Sequence, residues 1–346
     1  MKLPDCITPR PGEMVVTYTG LTKMEGEFIG YGLSDELLIK NQFGNTTFIN
    51  DYLKVRPKNP LKRQSANWEQ FQASGLTIEA SVPEVEAFNN ILETRIPPGP
   101  TYMDLITEVW SRGYEIYLVG GTVRDVINGN TANDVDLVTS MPFKLIIPLI
   151  ESMYGDRNYS RSPQNGFISV ACKDKYDPSI DLKNFFLFAP GTTSATFGSD
   201  LNRDYKIRDF ACNSVYYDPI NKFYIDPSGR GIVDSKNKII HIVKDLTAEH
   251  PVYNKASVLL RFFKFMNRGY DYTDESLKLI QKEYIPLFSG MGHLKRISTF
   301  KTQLLKKNPI HEVDDIIQKT RMNMTNCGCE EIWMKFYDAH ITELKS

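Results

Sequence analysis

The chain has 346 residues, 41% of them hydrophobic and 12% aromatic, which excludes a disordered polymer and suits two or three globular domains. Its formal net charge of −1 excludes a uniformly basic nucleic-acid coat but is silent about local patches, because binding depends on where charge sits. No stretch approaches the roughly 18 apolar residues of a membrane span, and MKLPDCITPRPGE lacks the apolar run of a signal peptide, so a cytoplasmic protein without a membrane partner is expected.

Short strands separated by Gly or Asn open the chain: EMVVTYTG, GEFIGYG, DELLIKNQFG and NTTFIN, within residues 13–50. Their alternation predicts a small β-rich module over 1–60, a barrel or curled antiparallel sheet. Its exit, LKVRPKNPLKR, carries Lys54, Arg56, Lys58, Lys62 and Arg63. Such a run is usually a solvated face, although a basic strap beside a small barrel also suits an oligonucleotide. Residues 61–100 read as a linker followed by the helix PEVEAFNNILETRI, which stops at the proline cluster 97–100.

From Tyr102 helices and strands alternate: YMDLITEVWSRG, EIYLVGG, TVRDVING, DVDLVTS, MPFKLIIPLIESM, then FISVACK and SIDLKNF. This predicts an α/β (α+β) domain with a mixed sheet over 101–245. Strand signals then fade. NKASVLLRFFKFMNRG and DESLKLIQKEY have helical spacing, so 246–346 is expected to be a helical domain. A second basic run there holds Lys295, Arg296, Lys301, Lys306 and Lys307. The five cysteines are scattered apart from Cys327 and Cys329. Their odd number and spacing favour reduced thiols, and the lone Cys-Gly-Cys reads as structural rather than metal-binding.

The chemistry concentrates in YLVGGTVRDVINGNTANDVDLVTS, residues 117–140. A buried strand runs into Gly120 and Gly121 at a helix start, where missing side chains let backbone N–H groups approach a phosphate. Arg124 offers a guanidinium fork for phosphate or carboxylate, and Asp125 can orient it. Asp134 and Asp136 flank Val135 in a strand, so both carboxylates leave the same face. Paired hard oxygen ligands suit Mg²⁺, which takes a few carboxylates plus water and substrate phosphates.

Each element alone is commonplace; together they form a pattern. Gly120, Gly121, Val123, Arg124, Asp125, Asp134 and Asp136 stand at the positions of Leu-Val-Gly-Gly-x-Val-Arg-Asp followed by Asp-x-Asp. The sequence thus resembles the head domain of class II tRNA nucleotidyltransferases (CCA-adding enzymes) and bacterial poly(A) polymerases, within the DNA polymerase β superfamily. The resemblance implies a third carboxylate on a later strand, for which Asp181 is the best candidate, with Asp174 and Asp177 close by. DYKIRDFACNSVYYD resembles the family's next block, which implies nucleotide contacts for Arg208, Asp209 and Asn213. FYIDPSGRGIVDSKNKIIHIV resembles a structural closing block through Asp226, Pro227, Gly229 and Asp234. VLLRFFKFMNRGYDY resembles the opening of the family's neck, with Arg261 in place.

The resemblance implies an enzyme: template-independent transfer of nucleotides from ATP or CTP to an RNA 3′ end, tRNA foremost, with two Mg²⁺ ions held by Asp134, Asp136 and Asp181. It covers residues 115 to about 305, and only the stretch to about 243 is specific. Where CCA-adding enzymes read the base with an Asp and an Arg, this chain has Lys255 and Val258, with Asn254 beside them. Either that register slips or nucleotide selection differs from that of CCA-adding enzymes; alternative functions are poly(A)-like tailing or transfer to a protein or small-molecule hydroxyl. A decayed head that only binds is disfavoured, because two repelling carboxylates persist only where a cation offsets them.

Overall fold

Apolar residues at every second position build the N-terminal sheet, as in β3 (Leu37–Asn41), where Leu37 and Ile39 are buried and Lys40 is exposed. A computed structural model of the chain describes residues 14–19, 22–31, 37–49, 55–57, 66–96, 99–132, 135–141, 143–155, 159–162, 167–170, 179–188, 195–198, 201–244, 252–305 and 309–345. β1 (Met14–Thr19), β2 (Thr22–Tyr31), β3, β4 (Thr46–Ile49) and β5 (Val55–Pro57) form a five-stranded antiparallel sheet in the order β4-β3-β2-β1-β5. Val15, Phe28, Leu37, Ile39, Ile49 and Val55 make its own small core. Gly26 lets β2 close on β3, since a Cβ there would lie 2.5 Å from the Lys40 carbonyl oxygen. Of the basic exit run, only β5 falls within the described residues.

The larger sheet contains β6 (Thr77–Glu79), β7 (Ile116–Val119), β8 (Val135–Thr139), β9 (Tyr159–Ser162), β10 (Phe167–Val170), β11 (Ile180–Phe188), β12 (Ala195–Gly198), β13 (Tyr216–Asp218) and β14 (Phe223–Ile225). Its order is β6-β14-β13-β7-β8-β11-β10-β9, with β12 also on β11. The sheet is mixed: β8 and β11 run parallel, while β7 meets β8 antiparallel. Helices α1 (Ala66–Ala73), α2 (Val82–Leu92), α3 (Tyr102–Ser111), α4 (Gly121–Ile127) and α5 (Phe143–Tyr154) accompany it.

Two helix starts are written in the sequence. Ser81 with Glu84, and Thr101 with Asp104, are capping boxes in which the acidic side chain accepts from the cap residue's backbone N–H at 2.8 and 2.9 Å. The segment read as a linker contributes more than a connection: β6 pairs with β14 as an edge strand. Phe88 of α2 stacks on Tyr217 of β13, ring centroids 3.7 Å apart. Gly99, inside the proline cluster, touches the Tyr154 ring so closely that a Cβ would sit 2.4 Å from Cδ1.

Contacts divide the chain into two units. One comprises Met1–Leu187, Ala195–Leu201 and Tyr216–Ile225; the other comprises Phe188–Ser194, Asn202–Val215 and Asp226–Ser346. Besides most of the short helix α6 (Leu201–Asp204), the second unit holds α7 (Gly231–Lys236), the parallel pair β15 (Ile239–Ile240) and β16 (Asp271–Tyr272), and α8 (Val252–Met266). It continues with α9 (Asp274–Leu279), α10 (Ile285–Ser289), α11 (His293–Phe300), α12 (Val313–Asn326), α13 (Glu330–Phe336) and α14 (Ile341–Lys345). α8 is its axis, burying Val258, Leu259, Leu260, Phe262, Phe263 and Phe265. Cys327 and Cys329 belong to that core, and burial pushes the Cys329 thiol up to about 12. No helix among the described residues is long and apolar enough to cross a membrane.

Candidate active site

Strand pairing brings the first unit's chemistry to one sheet edge. β7, buried at all four residues, ends at Gly120, where the chain turns into α4. β8, antiparallel to β7, begins at that edge, and so does β11, parallel to β8. In this register Asp136 and Asp181 are direct partners on adjacent strands, so their side chains leave the same face. Residues 45 apart in sequence become neighbours only through this parallel pairing.

Gly120 is required twice over. Its φ of +81° is one that side chains strain to adopt, and a Cβ there would lie 3.3 Å from Asp136 Oδ2. The backbone at the helix entry and the Asp136 carboxylate therefore share one small space. At Gly121 a Cβ would meet Arg124 Nη2 at 3.6 Å. Arg124 is buried and forks onto Asp125 Oδ1 through Nε at 3.1 Å and Nη2 at 2.8 Å. Asp125 thus orients the guanidinium. Asp134, and with it the Asp-x-Asp pair as a whole, lies outside the described residues, as do Asp174 and Asp177.

Lys183 is a component that motif reading missed. Its Nζ stands 3.7 Å from Asp136 Oδ1, with the two side chains 46% and 36% exposed. Lys183 lies two residues beyond Asp181 on β11 and so faces the same side. That period-2 relation to Asp181 was visible in SIDLKNF; the pairing of β11 with β8 was not. Two partly exposed carboxylates with one ammonium form a small cluster of net negative charge. As oxygen donors, Asp136 and Asp181 fit a hard divalent cation, and Lys183 is the counter-charge it would compete with.

The remaining expected residues lie in the second unit, in two ion-paired sets. Arg208 reaches the buried Asp204 through Nη2 at 2.8 Å and Nε at 3.2 Å. Asp209 is also buried; it accepts from the Phe210 N–H at 2.9 Å and from Asn213 Nδ2 at 3.1 Å, and Arg261 Nη2 stands 2.6 Å from its Oδ2. Burial alone would raise this carboxyl. Arg261, Asn213 and the Phe210 N–H together outweigh burial and hold it below its usual range. The Arg261 side chain remains 41% exposed, so part of its fork faces outward.

Asp226 closes the block that follows. It accepts from Ser228 Oγ at 2.7 Å and from the Ile232 N–H at 3.1 Å. Gly231 packs there so tightly that a Cβ would be 2.6 Å from the Ala211 carbonyl oxygen. Val258, which stands where the resemblance places a base-reading Arg, is 2% exposed in the helical core. It offers no polar group to a base. Within the second basic run, Arg296 is also turned inward: it donates to the carbonyls of Ser289 and Met291 and lies over the Phe336 ring.

Residues 116–241, which carry this edge, match the family model described as the poly A polymerase head domain. The matched stretch holds Gly120, Gly121, Arg124, Asp136, Asp181, Arg208, Asp209 and Asn213. Among particular proteins, the chain is similar to the CCA-adding enzyme of Staphylococcus aureus, with 27% identity over 183 residues, covering 52% of this chain and 43% of the relative. It thus spans less than half the length of that relative. In fold it is similar to the Thermotoga maritima CCA-adding enzyme complexed with tRNA CCA, with TM-score 0.51, 17% identity, and coverage of 74% of this chain and 55% of that one. An apo CCA-adding enzyme structure gives TM-score 0.51 at 16% identity, covering 76% and 56%. The family resemblance drawn from the motifs is borne out, and so is the mixed α/β head with an N-terminal antiparallel module and a helical C-terminal part.

Proposed function

We propose that this chain is a template-independent RNA nucleotidyltransferase, whose reaction joins the α-phosphate of ATP or CTP to an RNA 3′-hydroxyl. The O3′–Pα bond forms, the bond from Pα to the bridging oxygen breaks, and pyrophosphate leaves. The observation that carries this reading is the register pairing of Asp136 with Asp181 beside the side-chain-free Gly120. It gains weight from lying within the stretch that matches the head-domain model.

The residues divide the work. Asp136 and Asp181, with Asp134 by the motif, would hold two Mg²⁺ ions. Bound there, Mg²⁺ supplies charge stabilisation at the α-phosphate and makes a nearby hydroxyl more acidic. Gly120 and Gly121 keep the helix entry open to a triphosphate, and the Arg124–Asp125 pair stiffens that entry. In the second unit, Asp209 orients Arg261 and Asn213.

A tRNA 3′ end is the acceptor favoured by the relatives named CCA-adding enzymes. The burial of Val258 supports a specific departure: base choice rests on residues other than the family's Asp and Arg. Incubation with Mg²⁺ and each labelled nucleoside triphosphate, on tRNA lacking its 3′ end, tests both points. Extension in the order C, C, A supports CCA addition with altered base reading. Addition of A alone supports tailing, and label passing only to protein or small molecules overturns the RNA reading.

A further inference from the structure

Far along the chain from the carboxylate edge, three side chains converge on the second unit's surface. His293 opens α11, His340 ends a 3-10 turn, and Glu343 stands on α14. Glu343 is split between the imidazoles: Oε2 lies 3.2 Å from His293 Nε2, and Oε1 lies 2.9 Å from His340 Nδ1. The imidazole rings are themselves 4.2 Å apart, centroid to centroid, tilted by 48°. One donor atom from each residue lies within 4.8 Å of the other two.

We infer that His293, His340 and Glu343 form a binding site for a late first-row divalent metal ion, Zn²⁺ foremost. Four-coordinate Zn²⁺ with ligand bonds of about 2.0–2.2 Å needs donors roughly 3.3 Å apart. The two nitrogen–oxygen spacings, one to each carboxylate oxygen, fall near that value, and the three donor atoms, within 4.8 Å of one another, would close around the ion by side-chain rotation. Two neutral imidazoles and one carboxylate suit Zn²⁺, Co²⁺, Ni²⁺ or Cu²⁺, whereas an all-oxygen set suits Mg²⁺. The site would therefore be chemically distinct from the carboxylate edge of the first unit. All three side chains are about a third to a half exposed, which leaves room for a water in the fourth position.

On metal binding, His293 Nε2 and His340 Nδ1 would give up their hydrogen bonds to Glu343 and each offer a lone pair to the ion, with the ring proton on the other nitrogen. The structural consequence follows from sequence distance. His293 and Glu343 are 50 residues apart, and α14 is anchored from below by Leu344, 2% exposed in the helical core. A metal ion would staple the C-terminal helix to the start of α11 from the solvent side.

Calorimetric titration of the full chain with Zn²⁺ after chelator treatment, alongside the visible spectrum of Co²⁺-loaded protein, tests this. Expected are one equivalent bound at micromolar affinity, a tetrahedral Co²⁺ spectrum, and a Tm rise of about 2–4 °C with Zn²⁺ that His340→Ala does not share. His340→Ala and Glu343→Gln should each weaken binding about tenfold or more, with the chelated proteins still folded by circular dichroism. Absence of stoichiometric binding would overturn the inference. So would a His293→Ala/His340→Ala variant that binds Zn²⁺ as the unaltered protein does.

Discussion

At Gly120 a single missing methyl group connects backbone geometry to chemistry. Gly120→Ala is expected to destabilise the chain by about 1–3 kcal/mol through its positive φ, and to displace the Asp136 carboxylate 3.3 Å away. Urea unfolding reads the first effect and nucleotide incorporation the second; a variant as stable and active as the unaltered protein would contradict both. Lys183 acts on the same carboxylate from the other side. Lys183→Met should lower the Mg²⁺ concentration for half-maximal activity by about 2–5-fold, because a half-exposed pair, screened by solvent, is worth at most about 1 kcal/mol. An unchanged Mg²⁺ titration would show that this ammonium does not compete for the site. Asp209 carries the pH dependence. Its folded carboxyl is held below the ordinary value, so it contributes stability above the unfolded pKa of about 3.9 and loses it as pH falls through the folded value. Asp209→Ala should cost about 1–3 kcal/mol at pH 7, since it removes the acceptor of the buried Asn213 amide and Phe210 N–H. Comparing urea unfolding at pH 7 and pH 3 should show the gap between variant and unaltered protein narrowing in acid.

Among the elements, the parts legible in sequence are those whose reason is local. Gly120-Gly121 after an apolar strand, the capping pairs Ser81–Glu84 and Thr101–Asp104, and the helical spacing of α8 each announce themselves within a few residues. What was hidden depends on pairing across distance. β6 is three residues, Thr77–Glu79, with no strand signal of its own; it exists because β14 offers an edge. Lys183 reads as one more surface lysine until β11 is laid parallel to β8. Arg296 looks like part of a basic patch, yet its donors go to carbonyls within the same unit. The edge strand and α2 also explain why residues 66–92 are more than a tether. Phe88, fully buried against Tyr217 and Tyr224, should cost about 3–5 kcal/mol when truncated to Ala, measurable as a lower urea midpoint. A change below about 1 kcal/mol would mean that α2 is not integral to the sheet's packing.

For the molecule as a whole, the chemistry proposed lies at the carboxylate edge of the first unit, and base selection falls to residues other than the buried Val258. The burial of Val258 separates these two questions, because catalysis by two-metal attack needs no particular base whereas selection does. The edge itself is therefore the place to intervene. Mg²⁺-dependent addition of labelled nucleotides to RNA 3′ ends should be measured for the unaltered chain and for Asp136→Asn, a near-isosteric change at a half-exposed position. The expected result is 3′ extension by the unaltered chain and a loss of about 10³-fold or more in the variant, at unchanged Tm. Extension that persists in Asp136→Asn would contradict it, as would the absence of Mg²⁺-dependent transfer to any RNA by the unaltered chain.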